Sequence, residues 1–266
     1  MAQATAAIEK AVNFGEFDVF ILCVSTHKAD DIFSPQIDGL LSIVEKISKE
    51  AKSGALVSIE STIPKGTSKK VYDTLNHRIH VVHAPHRWYS LEEKEHGVNQ
   101  LRVIGGVCDC CLTAGIKFYG GVDNVRVDYS SSTPLKSLGI PMHPVSNIEI
   151  AEITKVVENA HRYLQIAFAE DLYLYCQADN IKFSELRDAL NTKWNVKILE
   201  PRDGIGGHCL PKDTKMFLES SNGRRSKIMA AAMQVDRDYR RLRPNHKIKN
   251  PIAKDSSRNC THYGFR

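Results

Sequence analysis

A cysteine that follows a run of glycines and precedes a proline is placed for nucleophilic chemistry, and residues 204–215, GIGGHCLPKDTK, hold one at Cys209. The glycines at 204, 206 and 207 allow a sharp turn and close approach to a ligand, and Pro211 suits the first turn of a helix. A thiol at a helix start with His208 and Lys212 beside it is drawn toward the thiolate, the form that attacks carbonyl carbon. Asp213 lies four residues on, so on a helix it shares a face with the sulfur and is a candidate base. A single cysteine in a glycine-rich turn is more often a small buried side chain than a nucleophile. On spacing alone the buried reading is the commoner one.

Other groups have chemistry of their own. Lys155 and Asn159 fall one helical turn apart and share a face, a pair that on a helix is usually just solvated surface. His86 follows Ala84-Pro85 at the end of an apolar stretch, where imidazole can donate or accept a proton near neutral pH or be an ordinary loop residue. Thr26 and Thr62 also follow apolar stretches, and each alone reads as a helix cap.

The elements that must carry these groups follow from hydrophobic patterning. Residues 17–24, 55–59, 79–83 and 101–106 are short apolar runs of strand length. Between them, residues 36–51 repeat apolar side chains at helical spacing through Ile37, Leu40, Leu41, Val44 and Ile47, and residues 67–75 and 108–119 also read as helices. Residues 2–12 read as a further helix. Strands alternating with helices at this interval predict an α/β fold with a parallel, doubly wound sheet, whose carboxyl edge is where ligands bind. Thr26, Thr62 and His86 all fall just beyond strand ends, on that edge. Residues 120–144 are polar and proline-containing, a connection with one short strand predicted at 125–127.

A long helix is then predicted from a capping box of Ser146 and Glu149, with an apolar stripe of Ile150, Ile153, Val157, Ala160, Leu164 and Ala167. A shorter helix at 183–191 leads into the glycine turn, and helical sequence resumes from Asp213 to Arg243, where Pro244 is a natural stop. The division expected is a sheet domain at 1–145, an all-helical domain at 146–243, and a basic, disordered tail at 244–266.

Twelve consecutive residues, GIGGHCLPKDTK, resemble the active-site signature of the UDP-glucose/GDP-mannose dehydrogenase family, the nucleotide-sugar 6-dehydrogenases. The segment from Ala151 to Arg162, with Lys155 and Asn159, resembles that family's catalytic helix, and the Ser-Thr-Ile-Pro pattern around Thr62 and the Gly105-Gly106 pair resemble its cofactor domain. The resemblance covers residues 16–243. It implies a partial Rossmann-like domain that binds NAD, with Thr26 and Thr62 on the cofactor side. It implies that Cys209 carries the sugar C6 as a thiohemiacetal and then a thioester, with Lys155 and Asn159 stabilising the oxyanion and Asp213 assisting proton transfer. Gly206 and Arg87 are the implied contacts to the nucleotide-sugar substrate, and the central helices the implied seat of a homodimer. The sequence departs from the family in having Pro85-His86 where Pro-Glu is usual, so His86 becomes the candidate acid/base. No G-x-G-x-x-G occurs in these 266 residues. Weak or absent NAD turnover by this chain alone is therefore expected, and a silent packing or dimerising module is the alternative reading.

Composition excludes some classes. No apolar run has membrane-spanning length. From Arg224 onward twelve Lys/Arg face three Asp, a basic end that lacks the interleaved aromatics of a nucleic-acid platform. Seven cysteines, an odd number, fit free thiols in a reducing, cytoplasmic setting. Cys108, Cys110 and Cys111 suggest zinc, but no second Cys or His pair follows at finger spacing and packing at a helix start is the expectation; no metal is predicted.

Overall fold

The structure is a computed structural model that describes residues 13–28, 30–31, 34–87, 100–120, 137–220 and 226–243. The helix expected at 2–12, the strand at 125–127 and the tail at 244–266 lie outside the described residues.

The first half forms a five-stranded sheet whose strands lie in chain order: β1 (Val19–Leu22), β2 (Leu56–Ile59), β3 (His80–His83), β4 (Arg102–Gly106) and β5 (Met142–Pro144). Helices α1 (Asp38–Glu50), α2 (Thr67–Thr74) and α3 (Asp109–Tyr119) connect them. All four residues of β2 are buried, as its continuous apolar run requires of a strand covered on both faces. Val57 and Ile59 pack with Leu40, Val44 and Ile47 of α1 and Val71 of α2. Leu56, on the opposite face, packs with Val82, Ile104 and Cys111.

β1, β2 and β3 are parallel, in a register that aligns Val19 with Leu56 and Leu56 with His80. The sheet is not parallel throughout, as the alternation had suggested. β4 runs antiparallel to β3, with Val82 opposite Gly106 and His83 opposite Gly105, while β5 is parallel to β4. The difference follows from the connection. The chain leaves β3 at its carboxyl edge and re-enters the sheet from that same edge at Arg102, so it needs no crossover. β5 itself was read as part of a connection, because three residues, Met-His-Pro, are too short to display a period.

The second half is helical: α4 (Ile148–Ala178), α5 (Phe183–Leu190), α6 (Cys209–Ser220) and α7 (Lys227–Leu242). α4 is capped by Asn147, whose side chain accepts from the Glu149 amide, one residue later than the expected Ser146 cap. Its core face is also rotated from the expected stripe. Ala160 and Ala167 are buried against Ile205, Met229 and Ala232, but Ile150 and Val157 are exposed and Tyr163 takes an inward position. α4 carries two apolar faces, and pattern reading merged them. Its start lies against the sheet at Gly105, where an added Cβ would stand 2.7 Å from Ile148 Cα. No helix among the described residues is long and apolar enough to cross a membrane.

Candidate functional site

The glycine turn before α6 is clamped by α7. Asp236 accepts from the Ile205 amide (2.8 Å) and from Arg240 Nε (3.0 Å), and Arg240 Nη2 donates to the Ile205 carbonyl (2.7 Å). Tyr239 donates to the carbonyl of Arg202 (2.8 Å). Gly204 has φ +93°, and a Cβ there would meet the Arg240 side chain at 2.7 Å, so both backbone conformation and space require glycine. The turn delivers Cys209, exposed, as the first residue of α6. Gly206, also exposed, has open space where a side chain would stand. His208 packs its ring edge-on against His27, centroids 4.4 Å apart.

One turn into α6 begins a buried polar line. Asn159 Nδ2 donates to Asp213 Oδ2 (2.5 Å), and Lys212 Nζ lies 2.6 Å from Asp213 Oδ1. The same ammonium donates to Thr26 Oγ1 (3.4 Å), which donates onward to the Thr62 carbonyl (2.7 Å). Lys212 is 3% exposed and Asp213 1%, so the charges are removed from water and depend on each other. The line thus joins α4, α6 and the loops after β1 and β2. It unites Asn159, Asp213, Thr26 and Thr62, four candidates taken from separate parts of the sequence. Lys212, read from sequence as a neighbour of the thiol, is engaged by Asp213 and Thr26.

The loop after β3 faces α4. Arg87 pairs with Glu158 (2.6 Å) and donates to the Leu101 carbonyl (2.9 Å). Lys155, half-buried on the same helix, lies close enough for its charge to act on His86. The His86 pKa is held below the ordinary histidine value, first by burial and then by the positive field of Arg102, with Glu60 opposing and Lys155 adding to the depression. The ring is therefore neutral at neutral pH, an acceptor suited to a base.

Several positioning residues escaped sequence reading. Glu60 accepts from Tyr119 (2.6 Å) and pairs with Arg102 (3.0 Å), which also donates to the Ala84 carbonyl (2.5 Å) and so fixes the start of the His86 loop. The signal was present: an arginine inside an apolar strand needs a buried partner. Glu152 accepts from the Gly66 and Ser68 amides (2.6 and 2.7 Å), capping α2 and tying α4 to the loop that carries Thr62. Burial raises its pKa in spite of those bonds.

Glu170, deeper in α4, is fully buried with no hydrogen-bond partner on either oxygen among the described residues, and its pKa is pushed up to about 8 by burial and then by Asp236. His83, at the end of β3, is likewise buried, and burial takes its pKa down to about 3 against the raising effect of the Ile59 backbone. Both are therefore neutral at pH 7, with opposite consequences. His83 adds stability as pH rises through the unfolded value of 6.5, because the unfolded chain binds the extra proton below it. Glu170 removes stability between 4.5 and about 8, where the unfolded carboxyl ionises and the folded one does not. Above pH 6.5 only Glu170 acts of the two. Stability is expected to fall by about 1–2 kcal/mol from pH 6.5 to 8 in urea titrations, and Glu170→Gln to abolish that fall.

The loops after β1 and β2 meet through the Thr26–Thr62 bond at the carboxyl edge of the parallel strands, where open α/β sheets take their ligands, and no glycine fingerprint for a pyrophosphate is present in the sequence.

Comparison with known proteins agrees with this geometry. Residues 2–122 match the NAD binding domain of the UDP-glucose/GDP-mannose dehydrogenase family, and residues 149–238 match its central domain. NAD is the cofactor that the first of these domains takes. A UDP-N-acetyl-D-mannosamine dehydrogenase of Methanococcus maripaludis is 30% identical over 224 residues, covering 83% of this chain and 48% of the relative. The structure of UDP-D-ManNAc dehydrogenase from Pyrococcus horikoshii superposes with a TM-score of 0.68 at 29% identity, over 84% of this chain and 50% of that one. The UDP-N-acetyl-mannosamine dehydrogenase of Staphylococcus aureus does so with a TM-score of 0.63 at 28% identity, over 84% and 50%. The chain spans about half the length of these curated relatives.

Proposed function

Because the chain belongs to the UDP-glucose/GDP-mannose dehydrogenase family, we propose that it carries the catalytic middle of an NAD-dependent nucleotide-sugar 6-dehydrogenase acting on UDP-N-acetyl-D-mannosamine or a close analogue. The observation that carries the reading is the buried line from Asn159 through Asp213 and Lys212 to Thr26 and Thr62. It fixes the helix that begins with Cys209 against the carboxyl edge of the parallel strands.

The residues divide the work as follows. His86, neutral, takes the proton from the C6 hydroxyl as the alcohol becomes an aldehyde. Cys209 adds to that aldehyde to give a thiohemiacetal, whose oxidation leaves a thioester on sulfur. Water then attacks the thioester carbonyl, releasing the carboxylate and restoring the thiol. Lys155 and Asn159 stabilise the oxyanion at each tetrahedral stage. Asp213, hydrogen-bonded to Asn159 through Oδ2 and ion-paired with Lys212 through Oδ1, holds both in register and assists proton transfer. NAD, when bound at the Thr26 and Thr62 edge, accepts the hydride in each oxidation. Gly206, with no side chain, leaves room for the sugar beside the sulfur.

A segment exchange tests this. Residues 16–243 replace the matching segment of the Pyrococcus horikoshii relative, and NADH and sugar acid are measured with UDP-N-acetyl-D-mannosamine. Two NADH per acid, lost when Cys209 is changed, is the expected outcome. A hybrid that folds and binds NAD but leaves the sugar unoxidised would favour the silent packing module instead.

The same family reading supports a homodimer through α4. Ile150, Val157, Phe168 and Tyr175 are all exposed, and their spacings of 7, 11 and 7 return to nearly one face of the helix. Light scattering is expected to give twice the chain mass for the purified protein, and Phe168→Glu to give the monomer.

A further inference from the structure

β4 leaves the sheet at its amino edge, remote from the line of candidate site residues, and α3 begins there with three thiols. Cys108 is the N-cap of α3, Cys110 and Cys111 sit in its first turn, and His80 opens β3 next to them. The ligand atoms of His80, Cys110 and Cys111 all lie within 4.8 Å of one another. Cys108 Sγ is 2.8 Å from Cys110 Sγ and 3.2 Å from Cys111 Sγ. Two separate elements therefore bring an imidazole and two sulfurs within 4.8 Å of one another, with Cys108 Sγ beside the two sulfurs.

Three thiols and an imidazole gain little from such crowding. A tetrahedral zinc ion would turn the same set into bonds. Zinc–sulfur bonds of about 2.3 Å and zinc–nitrogen bonds of about 2.0 Å require ligand atoms about 3.5–3.8 Å apart. The two Cys108 sulfur spacings reach that by outward movement of up to about 1 Å, the atoms of His80, Cys110 and Cys111 already lie within 4.8 Å of one another, and closing the set requires Cys108 Sγ to turn toward His80. Cys110 and His80 reach the surface, so an ion has an entry path, while Cys111 is buried and anchors the inner side. The second ligand pair missing from the sequence is supplied in part by the fold, which brings in His80 from a strand 28 residues before Cys108.

We propose that His80, Cys108, Cys110 and Cys111 form a closed Cys3His site for zinc(II) that fastens the start of β3 to the start of α3. Binding replaces three S–H bonds by three Zn–S bonds, adds one Zn–N bond and releases three protons to solvent, with no change of oxidation state. With four protein ligands and no open position the site is structural. It stands apart from Cys209 and does not rest on the dehydrogenase reading.

Cobalt(II) titration of the reduced, metal-free chain in a non-thiol reductant tests it. The expected result is the intense visible absorption of tetrahedral cobalt thiolate, saturating at about one ion per chain and displaced by about one equivalent of zinc. Zinc is expected to raise the melting temperature by about 5 °C. His80→Ala and Cys110→Ser, both at solvent-reached positions, are expected to weaken binding by about 100-fold or more with unchanged circular dichroism. Cys209→Ser is expected to leave the cobalt spectrum as it is. Zinc is also expected to protect Cys110 from alkylation, read by peptide mass spectrometry. Absence of tetrahedral bands, a spectrum lost with Cys209→Ser but kept in His80→Ala, or a Cys108–Cys111 disulfide forming as readily with zinc as without it would each overturn the proposal.

Discussion

Replacing Cys209 by serine in the segment hybrid is expected to lower sugar-acid formation by ~10⁴-fold or more in kcat, with little change in the affinity for NAD. The argument rests on what sulfur does that oxygen does not. A serine hydroxyl at the same place is a weak nucleophile with no base in hydrogen-bond contact among the described residues, since Asp213 is committed to Asn159 and Lys212. An oxygen ester would also release its acyl group more slowly than a thioester. The first oxidation does not need the covalent bond, so the variant is expected to give at most a partial NADH yield and to accumulate aldehyde. Rapid-mixing measurements with product analysis separate the stages. Full turnover in the serine variant would remove the nucleophile from the scheme.

Removing the carboxylate of Asp213 is expected to be the most destabilising single change in the polar line. Asp213→Ala leaves the Lys212 ammonium, 3% exposed, without its counter-ion and Asn159 without its acceptor. An unpaired buried charge of this kind costs about 3–5 kcal/mol, read as a lowered urea midpoint. Lys212→Met alone should cost less, because Asp213 keeps the Asn159 bond. The double change, which removes both charges, is expected to recover about 1–3 kcal/mol relative to Asp213→Ala. If the two single effects simply add, the pair is not coupled and the line is a set of separate contacts.

How much of this was legible beforehand depended on how far each signal reached along the chain. The β2 strand and α1 announced themselves because one element buries both faces and the other repeats at helical spacing. Cys209, Lys155 and Asn159 were found through motif likeness, and their spacing carried no sign that Asn159 and Asp213, 54 residues apart, would share a hydrogen bond. The antiparallel entry of β4 was hidden because the direction of a strand is decided by its connection, and an apolar run reads the same both ways. α4 misled for a related reason: a helix with two apolar faces has more hydrophobic positions than one stripe can hold. His80 gave no signal, since a histidine opening a strand acquires meaning only from what the fold sets beside it.

The shortness of β5 also governs mechanical leverage. Because β5 ends at Pro144, opposite Ile104, a helix of 31 residues, ~46 Å long, starts beside Gly105, level with the carboxyl end of β3. Lys155 and Asn159 are the eighth and twelfth residues of that helix, so the arm from the Gly105 anchorage to Asn159 is ~17 Å. Flexing of the remaining two-thirds, where Phe168 and Tyr175 lie, would pivot beyond the reactive groups and leave their alignment undisturbed.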